Sequence, residues 1–260
     1  MDSPQDTYLS SLVKIAIAEG KIPRYLYKYR KIDETLMILN NGTVYFSTLD
    51  QFNDPFEGKA IIDHNYTFNN WNDYLIRHST PPHEAFNVAY GLTHQNKKEG
   101  KQIVEKAITR VLSQLGFYCL AKNPDNLLMW AHYTDSHKGC VVEFDIMKCL
   151  PIFERIGAVK YDANYPSYNY LIDESGPYMS IFHKSKEWSY ESEYRIMNTQ
   201  KSGVIDLPKE AVSSVIFGCK TSESDKASIR NLIPISKFPH ASTRQVVLNP
   251  SQFKLDIQCK

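Results

Sequence analysis

Four short segments of this 260-residue chain gather polar and aromatic side chains that packing alone would not call for. Tyr27-Lys28-Tyr29-Arg30 sets two cations between tyrosines. Ser47-Thr48 precedes the turn Asn53-Asp54-Pro55-Phe56-Glu57. Leu128-Met129-Trp130-Ala131-His132-Tyr133 leads to His137-Lys138-Gly139. The fourth runs from Lys184 to Arg195 and contains Trp188-Ser189-Tyr190-Glu191-Ser192-Glu193-Tyr194-Arg195. Its carboxylates, Glu191 and Glu193, are two residues apart, so on a strand they would share one face. Two like charges held together on one face must be solvated, paired with cations or put to use. Arg195 and Lys184 are the available cations.

Each segment also has a purely structural reading. Y-K-Y-R could be an edge strand with solvent-facing cations. The Asn-Asp-Pro turn could bond only its own backbone. A single histidine near an apolar helix is usually a core residue, and Glu191, Glu193, Lys184 and Arg195 could form a surface ion-pair ladder. Metal ligation by His132 and His137 would ask for an i, i+4 spacing or a third ligand nearby, and neither is present, so no metal is expected.

The elements that must position these residues follow from periodicity and turn chemistry. Tyr8 to Glu19 has helical spacing. Tyr25 to Arg30 reads as a strand, Asp33 as the cap of a short helix that Gly42 stops, and Thr43 to Thr48 as the next strand. The pattern is helical from about 67 to 115, most clearly from Lys98 to Leu115. Strands follow at Gly116–Leu120, Cys140–Phe144, Val159–Tyr161, Glu193–Met197, Val204–Leu207 and Val212–Gly218, with two more near Val246 and Leu255. Short helices are expected after Asp125 or Asn126, from Pro177 to Lys186 and from Thr221 to Leu232. Strands and helices do not alternate regularly. The expectation is therefore one α+β domain with a mixed, largely antiparallel sheet and a helical insertion.

Thirty basic residues against twenty-nine acidic ones leave no whole-protein field to steer nucleic acid or an anionic membrane. The five cysteines form no C-x-x-C pair, so reduced thiols are expected. The first residues lack a basic-then-apolar signal pattern, and the apolar stretch Leu12–Ala18 is broken by Lys14 and too short for a bilayer. These features predict a cytoplasmic protein.

In their order, the motifs Y-K-Y-R, F-N-D-P-F-E, L-L-M-W-A-H-Y with H-K-G, and W-S-Y-E-S-E-Y-R resemble a bacterial family. It is known as domain of unknown function twenty-nine seventy-one. The resemblance runs from about Arg24 to Ile257. The kind of family it is points to bacterial stress or phage defence.

A second resemblance is to the ADP-ribosyltransferase fold. That fold carries an Arg or His on an early strand, a Ser-Thr or Tyr strand, and a late Glu, often as E-x-E. Here Arg30 or Lys28, Ser47-Thr48, and Glu191-Ser192-Glu193 stand in that order. Lys28 takes the place of the histidine of His-type members, and the second motif reads S-T-L. The resemblance implies a split sheet and NAD as substrate, with a nucleotide-like ligand and an undefined macromolecular acceptor. Arg30 or Lys28, with backbone near the first strand, would hold NAD phosphate or ribose oxygens. Ser47, Thr48 and the ring of Tyr45 would wall the nicotinamide pocket. Asn53, Asp54, Trp130, Tyr133, His137, Trp188 and Arg195 complete the ligand-binding candidates. Glu193 would stabilise the oxocarbenium-like centre as nicotinamide leaves, and His132 or Glu191 would orient or deprotonate the acceptor.

Two other function classes compete. A metal-dependent hydrolase or nuclease would use Asp54, His132, His137 and Glu193. A non-catalytic binding module would offer Trp130, Trp188 and the tyrosines as a recognition surface.

Overall fold

A computed structural model describes residues 4–259 of the chain, with side-chain surroundings from residue 10 to 258. The described chain divides into two compact units. Of the described residues, those up to 47, from 116 to 159 and from 187 onward form one unit, and 48–115 and 160–186 the other.

The first unit is built on an eight-stranded sheet. In chain order its strands are β1 (Tyr25–Arg30), β2 (Gly116–Ala121), β3 (Cys140–Asp145), β4 (Arg155–Ala158), β5 (Glu193–Asn198), β6 (Val212–Phe217), β7 (Ser242–Leu248) and β8 (Leu255–Cys259). Across the sheet they run β8-β7-β6-β3-β1-β2-β5-β4. Neighbours are antiparallel except β6 and β7, which are parallel and joined through the Glu223–Leu232 helix. The expected α+β class with a largely antiparallel sheet therefore holds.

Side chains alternate between the two faces. Leu26, Tyr118, Leu120, Val142, Phe144, Ile196, Val215 and Phe217 belong to one core, into which the Ile32–Asn41 helix sends Ile38 and Leu39. The opposite face carries Tyr29, Ala121, Val141, Ile216 and Val246, covered by Met129 and Trp130 of the Leu127–Tyr133 helix. Asn126 caps that helix by accepting from the N–H groups of Leu128 and Met129, both at 3.0 Å. Trp130 is fully buried, donates from Nε1 to the Pro124 carbonyl at 2.8 Å, and meets Tyr29 edge to face at 5.5 Å.

The second unit holds the expected helical stretch as three helices, Phe68–Arg77, Pro82–His94 and Lys97–Ser113. Trp71, Ala89, Leu92, Val104, Ile108, Tyr170 and Leu171 form their core.

Three local expectations are corrected. The Ile32–Asn41 helix is capped at Lys31 and not Asp33, because the Glu34 carboxylate reaches back to the Lys31 N–H at 3.0 Å. Gly42 does end this helix in the left-handed conformation, φ +66°, donating to the Ile38 carbonyl at 2.9 Å. The helix expected from Pro177 to Lys186 stops at Ile181, since His183–Ser185 is drawn into a parallel pair with Lys160–Asp162. Glu191 is not on a strand with Glu193. It ends the 3₁₀ segment Lys186–Glu191, and Ser192, at φ +45°, turns the chain before β5 begins.

Backbone packing is tight where β1 and β3 meet the 134–139 turn. A Cβ on Gly139 would stand 2.2 Å from the Arg30 carbonyl oxygen and 3.0 Å from Thr134 Cβ. The Gly139 carbonyl also accepts from Gly218 N–H and Thr221 Oγ1. Gly139→Ala is expected to lower stability by roughly 1–3 kcal/mol in urea unfolding, since backbone cannot yield as a side-chain tip can. An unchanged midpoint would contradict this packing.

Candidate functional site

The sheet register assembles a row of side chains that the sequence scatters over nearly two hundred positions. Ser214 pairs with Glu143, Glu143 with Tyr27, Tyr27 with Ala121, and Ala121 with Glu193. All five therefore project from one face, with a buried carboxylate on each side of Tyr27 and Ala121.

Each carboxylate has an arginine. Arg195 lies two residues beyond Glu193 on β5, so both share a face. Its Nε and Nη2 donate to Glu193 Oε1 and Oε2 at 2.7 and 3.0 Å, with both side chains buried. At the other end Arg244 Nη2 donates to Glu143 Oε2 and, at 2.7 Å, to Ser214 Oγ. Ser214 Oγ in turn donates to Glu143 Oε1 at 3.1 Å. Burial, then the Glu143 charge, pushes the Tyr27 hydroxyl up to about 12. The Tyr27, Glu143, Ser214 and Arg244 network was not anticipated. Its signal in the sequence was Glu143, a lone carboxylate in the apolar run Cys140-Val141-Val142-Glu143-Phe144.

Beyond the Tyr27–Ala121 pair, β1 and β2 share no further register position. Ser47 forms an isolated bridge with Phe117 of β2, exchanging two backbone hydrogen bonds of 2.8 Å. That pairing sets Ser47 on the same face as Phe117 and Cys119, the face of Glu193 and Arg195. Lys28 reaches the gap: Nζ donates to the Cys119 carbonyl at 2.7 Å and lies 4.7 Å from the Tyr118 ring centroid. Burial, reinforced by the Arg30 charge, lowers its amine to about 8, while Cys119 and Glu193 pull the other way. Burial followed by the Glu193 charge raises the Cys119 thiol. Cys119, Cys140, Cys149 and Cys219 are free thiols.

Glu191 joins this group from the turn before β5. It is buried and accepts from Tyr133 Oη at 2.6 Å. Burial, then this hydrogen bond, raises the Tyr133 hydroxyl, with Glu193 contributing through space. His132 is exposed, and its ring lies 6.1 Å from Tyr190, which is 6.1 Å from Trp188. Asn126 Nδ2 fixes this turn by donating to the Tyr190 carbonyl at 2.8 Å. Cys119 was missed as a site residue because nothing in its local sequence sets it apart; Asn126 was read only as a helix cap and Tyr190 only as a flank of the two carboxylates.

The remaining candidates are placed otherwise. Arg30, like Lys28, projects from the sheet face opposite Glu193; it pairs with Cys140, and its Nη1 stands 3.6 Å from Glu34. Tyr45 is exposed on the Thr43–Phe46 strand, opposite Val204. Trp130 is consumed in the core. His137 stacks near it, 6.4 Å between centroids, and lines a separate cavity. Thr48, Asn53 and Asp54 belong to the second unit, where Asp54 Oδ1 accepts from the Phe56 N–H at 2.9 Å. Lys184 Nζ, also in that unit, is 3.5 Å from Glu57. Among the described residues no three His, Cys, Asp or Glu side chains could together hold a metal ion. No helix among them is long and apolar enough to cross a membrane.

Two consequences can be measured. Glu193→Gln strands the Arg195 charge in the interior and should cost about 3–5 kcal/mol, whereas Glu193→Leu with Arg195→Met should recover most of that loss in urea unfolding. Lys28 gives a pH signature. Its folded pKa, about 8, is below the ordinary 10.5, so between those values the unfolded chain binds more protons. The wild type should therefore gain stability relative to Lys28→Met as pH rises from about 8 towards 10.5, and the penalty should be fully present below 8. A difference that stays flat with pH would show that the amine is not desolvated.

No curated protein and no solved structure matches the chain. Residues 129–196 match a family model. This segment contains the Leu127–Tyr133 helix from Met129 onward, the His137-Lys138-Gly139 turn, Tyr190, both carboxylates and Arg195, and so most of the arrangement around Glu193. Over residues 129–196 the chain is similar to the family described as Protein of unknown function (DUF2971).

Proposed function

We propose that this protein is an ADP-ribosyltransferase-like enzyme that takes NAD as substrate at the gap between β1 and β2. The observation that carries the reading is the single-residue pairing of these strands. A lysine amine lowered to about 8, the Ser47 bridge and the Glu193–Arg195 pair all adjoin it. The pairing is what a sheet beginning to split would have, and the three adjoining features follow the order that the transferase resemblance implies.

Lys28 and Arg30 share the sheet face opposite Glu193, and in this reading Lys28 is the first-strand cation because its amine reaches the Cys119 carbonyl at the gap, whereas Arg30 stands beside Glu34. The Lys28 charge would meet a pyrophosphate or ribose oxygen. Glu193, held rigid by two hydrogen bonds to Arg195, would present its negative charge to the anomeric carbon as the bond to nicotinamide breaks, with no reorganisation needed. Glu191, Tyr133 and exposed His132 form the side on which an acceptor hydroxyl or amine would be oriented.

The test is nicotinamide release from NAD by the full chain, with protein and nucleic-acid acceptors supplied in turn. Glu191→Gln and Lys28→Met are expected to reduce it by about a hundredfold or more, as is Glu193→Gln in whatever fraction folds by circular dichroism. Release that survives all three changes would sink the assignment. NAD left intact with every acceptor would favour a binding module built on Trp188, Tyr190 and His132.

A further inference from the structure

Elsewhere on the same sheet, away from Glu193, a cavity of about 790 Å³ opens beside the carboxyl ends of β6 and β7, lined among others by Leu127, His137, Lys220, Gln245 and Leu248. β6 and β7 are the parallel neighbours of the sheet, and the carboxyl ends of parallel strands are where open sheets receive ligands. The volume is that of a small-molecule pocket.

Gln245 supplies the observation that points to a ligand. Only 7% of it is exposed, and its Nε2 donates to the carbonyls of Gly218 at 2.8 Å and Val246 at 2.9 Å. Carbonyls can only accept, so the amide cannot be turned round. Its Oε1 is left as a buried acceptor with no partner. A buried polar atom without a partner is rare enough to demand a cause. His137 Nδ1, in the same lining, is also buried and unpartnered.

The turn that carries His137 is strained. Asp135, Ser136 and His137 have φ of +48°, +56° and +72° in succession. Non-glycine residues hold such angles at an energetic cost, and they gather at ligand sites. Exposed Lys220 stands beside His137, and Lys226 is already paired with Glu223 at 2.8 Å. The cavity thus combines apolar walls at Leu127, Val246 and Leu248 with a buried acceptor that has no N–H partner and an exposed cation beside it.

We propose that this cavity binds a nucleoside monophosphate whose base bears an exocyclic amino group, the amino group donating to Gln245 Oε1 and the phosphate meeting Lys220. The proposal is independent of the transfer reading, since it uses none of the residues around Glu193.

Calorimetric titration of the full chain with two matched pairs, AMP against IMP and CMP against UMP, tests it. In each pair an amino group is replaced by a carbonyl, which would oppose Gln245 Oε1 with a second acceptor. At least one amino-bearing nucleotide should bind about tenfold or more tightly than its oxo counterpart. Lys220→Ala, a change on an exposed side chain, should weaken the nucleotide about tenfold and leave the corresponding nucleoside unchanged. Equal affinity within both pairs, no binding by AMP or CMP, or a Lys220→Ala affinity equal to wild type would overturn the proposal.

Discussion

Burying Glu193 on β5, one strand in from the edge of the sheet, is possible only because Arg195 is two residues further along the same strand. An isolated carboxylate in that position would cost several kcal/mol after relaxation, and so would an isolated guanidinium. The bidentate pair cancels both charges and satisfies two hydrogen bonds at once. The features that define the site depend on this arrangement. Cys119 and Lys28 feel the Glu193 charge, Tyr133 feels it together with Glu191, and the turn from Tyr190 to Ser192 delivers the chain into β5 at the register where Glu193 meets Ala121.

The same solution recurs across the sheet. Glu143 is neutralised by Arg244, whose strand lies two places away with β6 between, and Ser214 of that intervening strand joins both. A row that alternates charge, aromatic ring and small residue is expensive to assemble and easy to disrupt. The apolar face opposite, with Leu26, Tyr118, Val142 and Phe217 in one core, supplies the burial that holds the strands in register. One face thus holds the larger apolar core, and the other combines a smaller core with the polar groups.

Much of the architecture was legible one segment at a time. The helix that ends at Gly42, the strand Tyr25–Arg30, the Asn126 cap and the helical run ending near Leu115 each follow from residues within a few positions of one another. Glu191 was misplaced because an E-x-E pattern reads as strand alternation. The left-handed Ser192 that breaks it is fixed by the fold, through the Lys122 N–H donating to the Ser192 carbonyl at 3.0 Å. Gln245 carried no local signal either, since its importance lies in an oxygen that the tertiary fold leaves unpartnered.

By itself the sequence determined the class of fold, the helical stretch, the strand that carries Glu193 and Arg195, and the spacing that puts those two charges on one face. All of these are set by spacing along one element. Only the tertiary structure decided that Lys28 and Arg30 both face away from Glu193, that the Lys28 amine nevertheless reaches the Cys119 carbonyl, that Trp130 is core, and that His137 lines the same cavity as Gln245. The physical reason is register. Which residues meet across strands depends on how segments far apart in sequence align, and a shift of one position sends every side chain to the other face.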